Sequence, residues 1–212
     1  MLLRRSVFLS VTALAGVATL ALAGWGASRV KSARAASANG APAADASPGA
    51  EGSAHQFTFT AIEGGTLPLS DYRGKVVMVV NTASQCGFTN QYAAMQSVWQ
   101  RYRDDGLIVL AVPSDDFNQE LATEAAVQAF CETTFGVDFP MTSITPVSGA
   151  RAHPFYAWAR RELGALSAPR WNFHKYLIDR QGRLVAAFST TTAPDSRRVR
   201  MEIEQLLAGS PG

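Results

Sequence analysis

The chain has two cysteines, Cys86 and Cys131, 45 positions apart. Two thiols are too few for a disulfide framework or a four-ligand zinc site, and this separation excludes a C-x-x-C exchange pair. His55, His153 and His174 are scattered and lack metal-ligand spacing. Two readings stay open at this point: a reactive thiol with a distant partner, or two inert thiols, since a free Cys packs as a small hydrophobe. Local context favours reactivity at Cys86. It lies in NTASQCGFTNQY, Asn81 to Tyr92, a few residues beyond an apolar run and just before a stretch of helical spacing. A thiolate at a helix N-terminus is stabilised by free backbone N–H groups and the positive end of the helix dipole, and the thiolate is the nucleophile. Gly87 lets a substrate approach the backbone closely. Thr89 stands where a dithiol exchange centre would carry its second cysteine.

The elements that must position this thiol follow from periodicity. Phe57 to Ala61 and Thr66 to Leu69 flank Glu63-Gly64-Gly65 and predict a hairpin. The run VVMVVN, Val76 to Asn81, reads as a strand buried on both faces. A helix over Gln91 to Arg103 follows, with Tyr92, Met95, Val98, Trp99 and Tyr102 at helical spacing, and then a second buried strand, Leu107 to Val112. Leu121 to Phe135 reads as a helix that carries Cys131 near its apolar face, and Pro154 to Leu163 as another. Phe173 to Ile178 and Leu184 to Phe188 form a hairpin across Asp179-Arg180-Gln181-Gly182, and a helix over Asp195 to Leu207 closes the chain. A β-α-β unit followed by a helix and an antiparallel hairpin predicts an α/β, thioredoxin-like fold. Its mixed central sheet is flanked by helices and preceded by an N-terminal β-hairpin.

Ahead of this domain, Arg4-Arg5 precede the apolar stretch SVFLSVTALAGVATLALAG, with Ala21-Leu22-Ala23 as a cleavage candidate. Residues 1–23 are read as a signal peptide, with resemblance to a twin-arginine signal, or as a retained membrane anchor. Residues 24–54 are a linker rich in Ala, Ser, Gly and Pro that cannot repay the entropy of ordering. Residues 55–212 form the folded domain. Either N-terminal reading places it outside the cytoplasm, periplasmic or tethered to the outer face of the inner membrane. A net charge of +2, from 19 basic and 17 acidic residues, gives no support to a nucleic-acid partner.

Several motifs in register carry a family resemblance over roughly residues 55–208. NTASQCGFTNQY, FC...FGVDFP (Phe130 to Pro140), HPFYAW (His153 to Trp158) and WNFHKYLIDRQGR (Trp171 to Arg183) resemble glutathione peroxidases. The resemblance implies a peroxidase that needs no bound cofactor, takes a hydroperoxide as substrate, and is recycled by a thioredoxin-like dithiol protein or glutathione. It implies Cys86 as the peroxidatic nucleophile, Trp171 and Asn172 as neutral donors that polarise the site, and Cys131 as the resolving cysteine of a Cys86–Cys131 disulfide. The family's glutamine does not carry over. Asp116, in Pro113-Ser114-Asp115-Asp116-Phe117, stands in its slot, where a carboxylate facing the thiolate would repel it. Gln119 is the nearby candidate for the missing amide. The segment between Pro140 and Trp171 lacks the insertion of tetrameric relatives, which implies a monomer. A peroxiredoxin would want Thr or Ser where Ala83 stands. The alternative reading is an exported thioredoxin-fold redox or copper-handling protein without peroxidase turnover.

Overall fold

Every side chain of the strand over Val76–Thr82 is buried, and the rest of the fold is layered on its two faces. The computed structural model describes residues 52–209. The expected signal or anchor over 1–23 and the expected linker as far as residue 51 lie outside the described residues. In chain order the strands are β1 (Thr58–Thr60), β2 (Thr66–Pro68), β3 (Val76–Thr82), β4 (Leu107–Pro113), β5 (Lys175–Ile178) and β6 (Leu184–Phe188). The helices are α1 (Gln91–Tyr102), α2 (Glu124–Phe135), α3 (Pro154–Leu163) and α4 (Arg197–Ala208). β1 and β2 form the expected hairpin. The other strands make a mixed sheet of order β4-β3-β5-β6, with β3 and β4 parallel and the remaining pairs antiparallel.

Strand side chains alternate between faces, and the core divides accordingly. Val76, Met78 and Val80 of β3 point to one face, where they meet Tyr92, Met95 and Val98 of α1, Val127 and Cys131 of α2, and Val199 and Ile203 of α4. Val77 and Val79 point to the other, against Phe155, Tyr156 and Trp158 of α3 and Phe59 of the hairpin. Each large apolar side chain buried this way contributes roughly 1.5–3 kcal/mol of transfer free energy. Among the described residues no helix is long and apolar enough to cross a membrane.

Boundaries shift where caps override periodicity. α2 begins at Glu124, not Leu121, because Thr123 caps it through Oγ1 and the Ala126 N–H. It ends at Gly136, whose φ of 63° is the left-handed conformation a helix stop requires. The domain also starts before residue 55, which corrects the expected linker end: Ser53 and Ala54 are buried, and the Ala54 N–H donates to Gly182 O at 2.8 Å. Gly182, at φ 82°, belongs to the β5–β6 turn, and an added Cβ there would collide with Ser53 Oγ. Asp179 organises that turn by accepting from the Gln181 and Arg183 N–H groups and from Arg183 Nε.

His174, just before β5, is buried against Tyr176. Burial, with the neighbouring Lys175 charge, pushes its imidazole down to about 4. A base held below its unfolded value of about 6.5 contributes stability that is present above that value and lost as pH falls toward 4. Wild type is therefore expected to lose roughly 3 kcal/mol more than His174→Leu between pH 7.5 and 4. Urea unfolding of both at the two pH values measures the difference.

Candidate active site

β3 ends at Thr82 and α1 begins at Gln91, and the turns between them carry Cys86. Thr89 closes those turns: its Oγ1 donates to Cys86 O at 2.6 Å, with Ser84 O and Ala83 O also within reach, and its N–H donates to the same Cys86 carbonyl. The Phe88 N–H donates to Cys86 Sγ at 3.4 Å. The thiol is 5% exposed, and a Cβ built on Gly87 would meet nothing within 4 Å, so the backbone beside the sulfur faces open space.

The groups expected around this thiol come from two other segments. Asn172 is buried, and its Nδ2 donates to Gln119 Oε1 at 3.0 Å, while its Oδ1 has no partner. Gln119 is in turn tied to the thiol's own loop, because the Gln85 N–H donates to Gln119 O at 2.9 Å. Trp171 is 41% exposed and leans on Phe117, ring centroids 5.4 Å apart. Holding Trp171 and Asn172 in place falls to Asn81, at the end of β3. Its Nδ2 donates to Trp171 O and its Oδ1 accepts from the His174 N–H. Phe173 sits at φ 60°, a strained conformation for an aromatic residue, and its N–H donates to Asn81 O at 2.6 Å.

The expectation that Asp116 occupies the amide position is corrected. Its Oδ2 accepts from the Val147 and Ser148 N–H groups at 2.6 and 2.7 Å and from Ser148 Oγ at 3.1 Å. The carboxylate thus fastens the 147–148 turn on the α3 side of the sheet, and Gln119 is the amide that meets Asn172.

Cys86 and Cys131 are both free and belong to the same apolar cluster. Cys131 is fully buried on the inner face of α2. Burial pushes its thiol up to about 12, the nearby Tyr92 hydroxyl opposes the shift, and the Glu120 and Glu132 charges add to it. Sequence reasoning missed four residues of this neighbourhood: Asn81, Thr89, Glu120 and Lys175. Asn81 had a signal, as a polar residue closing an otherwise apolar strand. Lys175 had none. Its fully buried Nζ, with its pKa lowered by burial to about 7, donates to Gln91 Oε1 at 2.6 Å and Thr192 O at 2.7 Å.

A thioredoxin-like sheet with a lone thiol at the β3–α1 junction, in a loop tied through Gln85 and Gln119 to Asn172, is the framework of a thiol redox enzyme. The glutathione peroxidase family profile matches residues 54–160. A glutathione peroxidase of Lactococcus lactis is 40% identical over 156 residues, covering 72% of this chain and 98% of the relative. A hydroperoxy fatty acid reductase of Synechocystis is 38% identical over 160 residues, covering 71% and 94%. The crystal structure of Trgpx in apo form superposes with a TM-score of 0.61 at 32% identity, covering 76% of this chain and 99% of the other. The chain belongs to the glutathione peroxidase family, and it is a peroxidase of the oxidoreductase class.

The two candidate amide positions separate experimentally. Asp116→Gln is expected to leave the rate of Cys86 oxidation by hydrogen peroxide within about 3-fold of wild type. Gln119→Ala, which strips a buried amide of its acceptor at a cost of about 1–1.5 kcal/mol, is expected to lower it about 10-fold. Stopped-flow oxidation at pH 7 reads both.

Proposed function

We propose that the chain is an exported two-cysteine thiol peroxidase. In the first step Cys86 Sγ attacks the terminal oxygen of a hydroperoxide. The S–O bond forms as O–O breaks, the sulfur is oxidised to a sulfenic acid, and the departing oxygen is protonated to water or an alcohol. Trp171, Asn172 and Gln119 line this step as neutral polar groups able to stabilise charge on the leaving oxygen. In the second step Cys131 condenses with the sulfenic acid to give a disulfide and one water. The observation that carries the reading is the pair of free thiols sharing one cluster, one in a loop with a backbone donor aimed at its sulfur, the other on a helix. On this reading α2, which holds Cys131, loosens locally so that the bridge can close with its Cα atoms within about 7 Å.

Export is supported by the arginine pair and apolar stretch over residues 4–24, and by a family match that starts only at residue 54. On this reading the enzyme is a monomer, periplasmic or tethered at the outer face of the inner membrane. It reduces hydrogen peroxide or organic hydroperoxides in defence against oxidative stress. Disulfides persist in that compartment, so turnover needs a dedicated dithiol donor. A thioredoxin-like protein resolves its mixed disulfide internally, whereas glutathione must attack twice as separate molecules.

Two experiments test this. Cys86→Ser is expected to abolish peroxide reduction. Cys131→Ser is expected to keep one round of Cys86 oxidation, seen by mass spectrometry as sulfenic or over-oxidised sulfur, while losing dithiol-driven turnover; an unmodified Cys86 after peroxide refutes the assignment. Steady-state turnover of the purified chain is expected to be at least about 10-fold faster with a thioredoxin-type dithiol protein than with glutathione, each at its physiological concentration. Faster turnover with glutathione points to a one-cysteine cycle instead.

A further inference from the structure

Lys175 opens β5, pairs with Val80 of β3 and Phe188 of β6, and is fully buried. Its Nζ meets four oxygens: Gln91 Oε1 at 2.6 Å, Thr192 O at 2.7 Å, and the Ser189 and Thr190 carbonyls at 3.4 Å each. None of the four is charged, and among the described residues Lys175 forms no ion pair. A buried amine without a carboxylate partner is costly to a fold. Packing of the sheet alone would be met by an apolar side chain like those of Val80 and Phe188 beside it.

What the amine does is grip a loop. Residues 189–192 follow β6, which is an edge strand of the sheet, and Ser189 and Thr191 are exposed. Three of the four oxygens around Nζ belong to this loop. The fourth, on Gln91, doubles the hold, because Gln91 Nε2 donates to Thr190 O at 2.7 Å. Thr190 passes the constraint on: its Oγ1 donates to Asn172 O at 2.7 Å, and Asn172 Nδ2 donates to Gln119 Oε1 at 3.0 Å. A line of short hydrogen bonds therefore runs from the buried amine to the buried amide of the site. The thiol's own loop is mounted separately. Glu120 Oε1 accepts from the Ser84 N–H at 2.9 Å and the Leu121 N–H at 2.8 Å, and Gln119 O accepts from the Gln85 N–H. Lys175 makes none of those bonds, so it bears on the Asn172 side of the site and leaves the mounting of the sulfur alone.

We propose that Lys175 is a positioning residue for peroxide reduction, holding Asn172 through Gln91 and Thr190 where its amide meets the departing peroxide oxygen. The inference rests on the role given to Asn172 above. Asn81 fixes the neighbours of Asn172, at Trp171, Phe173 and His174. Thr190 fixes Asn172 itself, from the β6 side. A donor aimed at charge that develops during a reaction acts most strongly when its place is set beforehand, and a small displacement forfeits much of the effect. Cutting the line at Lys175 releases the 189–192 loop, and with it the one bond that holds the Asn172 carbonyl.

The test follows loss of the Cys86 thiol in the full, pre-reduced chain at pH 7, in the Cys131→Ser background so that one thiol reports. Oxidation by hydrogen peroxide is compared with alkylation by iodoacetamide, whose iodide leaving group has no use for an amide donor. Lys175→Met keeps the stem, and is expected to slow oxidation about 30-fold while alkylation stays within about 3-fold of wild type. Thr190→Val removes the bond to Asn172 O and is expected to slow oxidation about 10-fold. The double variant is expected to fall within about 3-fold of Lys175→Met alone, since both changes cut one line. Gln91→Met, which keeps the amine and breaks the line at α1, stands as the second variant if Lys175→Met fails to fold, with the same split between oxidation and alkylation expected. Oxidation at the wild-type rate in Lys175→Met, equal slowing of oxidation and alkylation, or a double variant as slow as the product of the two single effects overturns the inference. Asn172→Ala is expected to oxidise about 10²-fold more slowly than wild type. A wild-type rate there overturns the role of Asn172 and the inference with it, whereas a slow Asn172→Ala beside a wild-type Lys175→Met overturns the inference alone.

Discussion

Asn81 is the polar residue on which the arrangement of the site depends. It ends a strand buried on both faces, where an unmatched amide would cost about 1–3 kcal/mol. All its groups are spent on one segment: the side chain binds Trp171 O and the His174 N–H, and the backbone exchanges hydrogen bonds with Phe173 and His174. These four bonds bend residues 171–174 through the left-handed Phe173 and deliver Asn172 to Gln119. Gln119, held to Gln85 through its carbonyl, completes the circuit back to the thiol loop. The site is therefore a set of loops made rigid by the polar end of a buried strand.

Much of the fold was legible because its elements obey one period each. VVMVVN allows only a doubly buried strand, the α1 residues fall on one helical face, and Asp179 to Gly182 hold the chemistry of a hairpin turn. Cys86 was legible for a related reason, since its place between strand and helix is local. Asp116 and Gln119 were not separable, because which of two nearby polar side chains turns inward is settled by distant partners, here the 147–148 turn and Asn172. Glu120 and Lys175 were invisible for the same reason: a charged side chain in sequence reads as solvated, and only tertiary packing buries it.

Lys175 supplies a second brace. Its ammonium is buried among neutral oxygens, and Gln91, which accepts from it, donates through Nε2 to Thr190 O at 2.7 Å. Thr190 in turn donates through Oγ1 to Asn172 O, also at 2.7 Å. The first residue of α1, the loop after β6 and the Asn172 carbonyl are thus linked through one buried amine. Desolvation makes such a cation costly, and a purely structural tie would be served as well by an uncharged donor. With its pKa lowered to about 7, the group sits near its titration point at neutral pH, at the N-terminal end of α1 on which the Cys86 loop is mounted.

The contrast between the two thiols follows from backbone geometry. Cys86 lies in turns, where N–H groups are not committed to helix or sheet, and one of them reaches its sulfur. Cys131 lies within α2, where the local N–H groups serve the helix ladder, its side chain packs in the apolar cluster with Tyr92, and the Glu120 and Glu132 charges bear on it. The first environment offers the sulfur a backbone donor, whereas burial in the second holds the thiol protonated until a proton is taken or the helix opens. On the two-cysteine reading an order of reaction follows: peroxide meets the loop thiol, which has open space beside it at Gly87, and the helical thiol stays protonated until Cys86 has been oxidised.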